Sequence, residues 1–202
     1  SFLPIFILGL IQGITEFLPI SSSGHLLVVG KFLDFKQQSL LIDVSLHLGT
    51  LGAVLVYFSK ESKILLLNAH NVFTDKSDEN TLFTKHILVA TVPISIVGGL
   101  LFLFGIAEIL RNLQIIALAT ILFGVLLYFA DTKSNDYVSI RELTVRKSFL
   151  IGIFQTLSII PGTSRAGIVY TGSRFLNLNR IDAARFSMIL SIPVIILSSA
   201  IP

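Results

Sequence analysis

Long apolar runs alternate with short polar connections along this chain. Three runs, about Leu40 to Phe58, Ile87 to Gly105 and Leu113 to Ala130, each approach the roughly 20 apolar residues needed to cross about 30 Å of hydrocarbon. A fourth runs from about Ala183 to Pro202, and Pro193 is expected to kink it. Two further apolar stretches are shorter and interrupted. Phe2 to Leu18 runs into the polar break Pro19-Ile20-Ser21-Ser22-Ser23-Gly24-His25, and Ser148 to Ile160 runs into Pro161-Gly162-Thr163-Ser164-Arg165-Ala166-Gly167. Both read as broken or re-entrant elements. The pattern predicts an all-α polytopic membrane protein: a helical bundle with two re-entrant helix hairpins meeting near the midplane.

The two broken elements are copies of each other. A gapless shift of 143 positions sets Gly9 on Gly152, Gln12 on Gln155, Ser21 on Ser164 and Gly24 on Gly167. Further on, Lys31-Phe32-Leu33-Asp34 meets Arg174-Phe175-Leu176-Asn177. A register held over such a length marks an internal duplication. The chain therefore reads as a single membrane domain over 1–202. Repeat 1 covers about 1–58 with its motif at 9–25, linking spans and loops cover 59–147, and repeat 2 covers about 148–202 with its motif at 161–167. Lys60, Lys63, Lys76 and Lys85 lie in one connection, and Lys133, Arg141, Arg146 and Lys147 in another. The positive-inside rule puts both in the cytoplasm. Three full crossings then separate the copies, so they enter the membrane from opposite faces as an inverted repeat.

Composition agrees with a bilayer surround. Of 202 residues 53% are hydrophobic and only 13% charged, against about 25% in soluble domains. The net charge of +3 sits in short connections, as topology signals do, and does not point to nucleic acid. Without cysteine, disulfides, thiolate metal sites and cysteine nucleophiles are excluded. The first apolar run carries Gln12 and Glu16 and is read as part of the mature protein, not a leader.

The chemistry gathers in the breaks. Gln12 and Glu16 stand i and i+4 on one helix face. Ser21 to Ser23 can cap a second helix beginning near His25, and Thr163 or Ser164 can cap the one after Pro161-Gly162. Free N–H groups at such starts attract anions, phosphate above all. Arg165 adds a guanidinium fork that matches phosphate oxygens. An ionised group at the bilayer centre costs about 2.5–3.5 kcal/mol on insertion scales, so Glu16, His25 and Arg165 need a reason to be there. An anionic ligand with a divalent cation supplies one, and hydroxyls beside a histidine are ingredients of an activated nucleophile. The plainer alternatives are an intramembrane Glu16–Arg165 ion pair that fixes packing, serines that only cap, and Gln12 and Gln155 as interhelical glue. His47, near Asp43, is a weak candidate. His70 and His86 read as solvated or interfacial, and Glu108 with Arg111 as a surface pair on a short outer turn.

With Gly9 to His25 and Pro161 to Gly167 in view, the sequence resembles the undecaprenyl-diphosphate phosphatase family, also called bacitracin-resistance proteins. The first stretch is similar to that family's (Glu/Gln)-x-x-x-Glu motif running into a serine-rich Gly-His, and the second to its Pro-Gly-x-Ser-Arg motif. The resemblance covers nearly the whole chain. It implies a phosphatase that converts undecaprenyl diphosphate into the monophosphate carrier used for peptidoglycan precursors. It further implies Mg²⁺ or Ca²⁺ as cofactor and a multi-pass protein of the bacterial cytoplasmic (inner) membrane whose site opens to the periplasmic or outer side. By resemblance Glu16 serves metal or proton transfer, with Gln12 as a second candidate metal ligand. Arg165 holds the diphosphate together with Ser164, Thr163, Ser21, Ser23 and Gly24. His25 and Ser22 supply the nucleophile and its base, in an order left open. Gln12 replaces a glutamate found in many members, Ala166 replaces a common serine, and the family usually continues with further membrane helices. The implied partners are the polyprenyl diphosphate and the bilayer; a homodimer is left open. A carrier of a polyprenyl phosphate lipid is the rival reading, because inverted repeats with broken helices are also transporter architecture.

Overall fold

In the computed structural model, residues 2–32, 40–74, 78–105 and 112–199 are described. Among them nine α-helices follow one another: α1 Phe2–Thr15, α2 Ser22–Phe32, α3 Leu40–Tyr57, α4 Ser59–Asn68, α5 Glu79–Leu103, α6 Leu113–Lys133, α7 Val145–Thr156, α8 Arg165–Phe175 and α9 Arg180–Ser199. The only strand-like pairing among these residues is a bridge between Val138 and Leu178. The chain is an all-α polytopic membrane protein.

Length sorts the helices. α5, α6 and α9, with 25, 21 and 20 residues, rise about 30–38 Å and are apolar enough to cross a bilayer. α1, α2, α7 and α8 have 14, 11, 12 and 11 residues, so each rises only about 16–21 Å, short of a crossing. The chain turns 95° between α3 and α4, which lays α4 across the direction of α3. Pro193 lies inside α9, which stays one helix over its whole span.

The connection read as Ser59 to His86 is more ordered than its polarity suggests. α4 fills its first part, and α5 starts eight residues before Ile87. Asp78 caps α5 by accepting from the Thr81 backbone N–H at 3.2 Å. The Thr81 hydroxyl also bonds this carboxylate, at 2.5 Å, and holds it below the usual carboxylate range. His86 therefore sits two turns inside α5. It is buried, with Nδ1 2.9 Å from the Ser148 hydroxyl of α7, which corrects its reading as solvated or interfacial. His70 is exposed, as expected. Glu108 and Arg111 lie outside the described residues.

The core is built around α9, whose Phe186, Ile189 and Leu190 are buried against Ile87 and Ala90 of α5, Ile151 of α7 and Val169 of α8. α7 approaches α5 closely because Gly152 has no side chain. A Cβ there would lie 2.5 Å from the Ala90 carbonyl oxygen. Gln155, one turn on, donates to that same carbonyl at 3.2 Å. α6 lies at the edge, with Leu118, Ile121, Leu122 and Val125 exposed as lipid-facing residues are.

Ion pairs tie one end of the bundle. Arg174, at the end of α8, is fully buried and bonded to Asp136 and to the Leu178 and Ser134 carbonyls. Arg180 pairs with Asp131 at 2.9 Å, Arg141 with Glu79 at 2.8 Å, and Arg185 with Glu61. A buried charge is tolerated only when paired in this way. In the sequence Arg174 stands out only as part of the repeat, because pairing across more than thirty residues leaves no local pattern.

Candidate functional site

The two breaks reproduce one local design. After α1 the chain turns through residues 16–20, and Ser21 adopts a left-handed φ of 61°. Its hydroxyl accepts from the Gly24 backbone N–H at 3.4 Å as α2 begins. After α7, Gly162 takes a φ of 95°, where a Cβ would collide with the Ile116 backbone of α6. Ser164, one of the two cap candidates, then accepts from the Gly167 N–H at 3.1 Å and starts α8. Ser21 and Ser164 thus hold the N–H groups of Gly24 and Gly167, the same positions in the repeat register.

The breaks also touch. The Ser164 hydroxyl donates to the Leu18 carbonyl at 3.2 Å, and a Cβ on Gly167 would lie 3.2 Å from Pro19 Cβ. Arg165 Nη2 donates to Glu16 Oε1 at 2.9 Å, joining α8 to the end of α1. The other carboxylate oxygen, Oε2, accepts from the Ser22 hydroxyl at 2.7 Å and from Gln12 Nε2 at 2.9 Å. Glu16 is 7% exposed and Gln12 0%, so the carboxylate is nearly buried, and one cation and two neutral donors hold it, as a buried charge requires.

Beside this carboxylate opens a cavity of about 200 Å³. Ser21, Ser22, Ser23, Thr163, Ser164 and Arg165 line it with Glu16, so every hydroxyl-bearing candidate from both motifs reaches one space. Thr163 Oγ1 is buried there without a hydrogen-bond partner among the described residues. Gly24 lies beneath, its N–H spent on Ser21. His25 is placed differently from the pairing expected of it. Its ring is on an exposed part of α2 with Nδ1 2.8 Å from the Ser21 carbonyl, and it does not line the cavity. The Ser22 hydroxyl is committed to Glu16 instead. Gln155 bonds the α5 backbone away from the cavity and acts as glue.

The histidine that does face the cavity is His47 of α3. Its Nδ1 is 2.7 Å from the Asp43 carbonyl. A carbonyl only accepts, so Nδ1 carries a proton and Nε2 is the ring atom turned toward the carboxylate. That Nε2 lies 3.8 Å from Glu16 Oε2. The i, i+4 spacing from Asp43 was visible in the sequence. The approach of α3 to α1 was not.

The donors suit a hard divalent cation only in part. Among the described residues no three of His, Asp, Glu or Cys gather as a ligand set, and Glu16 is the one carboxylate in the cavity lining. The buried Gln12 Oε1, behind the cavity lining, has no hydrogen-bond partner among the described residues. Mg²⁺ needs just one or two carboxylates when substrate phosphates complete its oxygen shell. For such a cation the cavity lining itself offers one carboxylate, Glu16.

Comparison with known proteins points the same way. Residues 5–202 match the family described as Bacitracin resistance protein BacA. The chain is 47% identical over 191 residues to the undecaprenyl-diphosphatase of Saccharophagus degradans, an alignment covering 95% of this chain and 72% of that protein. It is 45% identical over 193 residues to the undecaprenyl-diphosphatase of Teredinibacter turnerae, with 95% and 73% covered. To that of a Jannaschia species it is 40% identical over 197 residues, with 97% and 74% covered.

Proposed function

The chain belongs to the bacitracin resistance protein BacA family, and from that membership we propose that the Glu16–Ser22–Arg165 cluster is where it works on its substrate. The reaction is the enzymatic hydrolysis of undecaprenyl diphosphate to undecaprenyl phosphate and phosphate, which recycles the lipid carrier of peptidoglycan synthesis. One observation carries the assignment of the site: the two breaks contribute opposite charges to a single buried cluster, with a hydroxyl already bonded to the carboxylate.

The steps follow from these contacts. The terminal phosphate enters the cavity and takes hydrogen bonds from Arg165, from the partnerless Thr163 hydroxyl and from the remaining serines. Arg165 then divides its donors between phosphate and Glu16, and the carboxylate is freed to act as a base. The Ser22 hydroxyl passes its proton along the existing 2.7 Å bond to Glu16 Oε2, and Oγ attacks the terminal phosphorus. The Oγ–P bond forms, the bridging P–O bond breaks, and undecaprenyl phosphate departs with the bridging oxygen. Water then attacks the phosphoserine as the P–Oγ bond breaks, phosphate leaves with both of the water's protons, and Glu16 returns its proton to Oγ. His25 holds the Ser21 carbonyl and thereby the left-handed turn before Ser22, a positioning role. His47 lines the cavity, where water or phosphate can reach its Nε2.

Mg²⁺ or Ca²⁺ would be held by Glu16, with Gln12 Oε1 as its second protein oxygen, and would neutralise charge on the diphosphate when bound. The bacterial cytoplasmic membrane is the proposed location, with the cavity on the outer side. What supports this is the layout of α9: the cavity adjoins Val194 to Ser198 near its end, while the basic connections tie to Arg180 and Arg185 near its start. A carrier would have no use for a hydroxyl poised on a carboxylate.

The test is phosphate release from a prenyl diphosphate by purified protein. Release should stop with EDTA and return with Mg²⁺ or Ca²⁺, and Arg165→Ala should lose about 10²–10³-fold in kcat/KM. Full activity of Arg165→Ala would remove the cluster from the mechanism.

A further inference from the structure

The inward face of α4 is fastened near both ends to membrane-crossing helices. Glu61 pairs with Arg185 near the start of α9. The Asn68 side-chain carbonyl accepts from the Thr81 hydroxyl, near the start of α5, at 3.4 Å. Leu65, between them in the chain, packs against the core. With the 95° turn from α3, these ties set α4 in the plane of the membrane surface, at the level where α5 and α9 begin.

The outward face is bare. Lys60, Lys63, Leu66 and Leu67 share one side of the helix at i, i+3, i+6 and i+7, and all four are exposed. Leu66 is 83% and Leu67 75% exposed, and Phe73, just past the helix, is 88% exposed. Neither lysine has a bonding partner among the described residues. Glu61, the one acid of α4, is engaged with Arg185, so the outward face presents positive charge alone.

Water does not account for three large apolar side chains here, and hydrocarbon does not account for the lysines. The membrane interface accounts for both, because apolar side chains enter the acyl boundary while lysines meet headgroup phosphates. Tyr57, exposed directly before the turn, marks the same level, as interfacial aromatic residues do.

We propose that the outward face of α4 is a docking face for anionic phospholipid. Lys60 and Lys63 bind the headgroup phosphates, and Leu66, Leu67 and Phe73 enter the upper acyl region. Charge selects the occupant: phosphatidylglycerol carries a net negative head, whereas phosphatidylcholine cancels its phosphate with its own cation. This face stands apart from the hydroxyl cavity, which adjoins the opposite end of α9, and does not depend on the reaction there.

The chain has no tryptophan, so Phe73→Trp puts a single fluorophore beside the site. The full chain is reconstituted in mixed phosphatidylcholine and phosphatidylglycerol vesicles, with brominated acyl chains first on one lipid and then on the other. Quenching should report association about fivefold or more in favour of phosphatidylglycerol. Adding Lys60→Gln and Lys63→Gln should bring that ratio to about one, and about 1 M salt should do the same without mutation. Leu122→Trp, at a lipid-facing position of α6 in the otherwise native chain, is the bulk-lipid control and should show no preference. Equal quenching by the two lipids beside α4, or a preference that survives loss of both lysines, overturns the proposal. A fluorophore that neither lipid quenches would lie in water; that result also overturns it and would leave the face to a soluble protein partner.

Discussion

The first and second breaks share a skeleton and differ in what they carry. In both, a buried glutamine stands nine residues before a serine that caps the following helix through the glycine three residues on. Among the register positions at which they part, two bear on charge and attack. Glu16 matches Ile159, and Ser22 matches Arg165. One copy thus brings a carboxylate and a hydroxyl, the other a cation, and both sets meet because the breaks face each other. Packing differs as well. α1 exposes Leu3, Phe6, Leu10 and Ile14, whereas α7 and α8 bury Ile151, Ile168 and Val169. The second copy is the anchored scaffold, and the first brings the reacting groups to it. Duplication explains the paired helix starts; divergence between the copies, at Glu16 and Ser22 above all, explains the chemistry.

The strongest way to break this comparison is at the shared position that became Ser22 in one copy and Arg165 in the other. Ser22→Ala should lose about 10³-fold or more in kcat/KM, as removal of a nucleophile does. Trapping of a phosphoserine from labelled substrate should disappear with it. Arg165→Lys keeps the charge but not the fork, and should retain part of the activity that Arg165→Ala loses. If Ser22→Ala kept most of its turnover, the hydroxyl would be a cap or an orienting group, and the first copy would lose its claim to the attacking atom.

Much of this was legible in the sequence, and the limits have physical causes. The apolar runs, the repeat register, the two breaks and the convergence of Glu16 with Arg165 all follow from short-range patterns and the cost of charge in a membrane. The Ser164 cap was readable to within one residue. His47 was underweighted because the sequence places it in an ordinary span, and only the packing of α3 on α1 brings Nε2 to the carboxylate. His86 was misread because a cap at Asp78 extends α5 beneath a connection that looks polar. His25 was joined to Ser22 by proximity in the chain, yet at i+3 on a helix its ring turns back to the Ser21 carbonyl.

A smaller effect separates the copies by packing alone. At Gly152 a Cβ would lie 2.5 Å from the Ala90 carbonyl oxygen, while at its counterpart Gly9 the nearest atom is a flexible Leu46 methyl carbon at 3.7 Å. Gly152→Ala should cost about 1–3 kcal/mol, the usual range for overpacking. Gly9→Ala should be neutral or stabilising by up to about 1 kcal/mol through helix propensity. Thermal unfolding of the two variants in detergent checks this directly. Equal losses would mean that α1 is anchored as tightly as α7.

The smallest expected difference lies in the two capping serines, and it differs in sign. Ser164 has an ordinary φ of −64° and bonds both the Gly167 N–H and the Leu18 carbonyl. Ser164→Gly therefore removes a cap and a link between the breaks and relieves nothing. Ser21 has a φ of 61°, a conformation that costs an L-residue roughly 1–2 kcal/mol, and its cap bond is long at 3.4 Å. A glycine there sheds the strain, while replacing a serine cap by glycine costs only a few tenths of a kcal/mol. Ser21→Gly should then raise the unfolding temperature slightly, and Ser164→Gly should lower it. The stabilised Ser21→Gly protein should nevertheless turn over more slowly, because the strained turn is what aims the Ser22 hydroxyl at Glu16. Loss of stability in both variants would place the strain elsewhere and leave the left-handed turn without a part in the reaction.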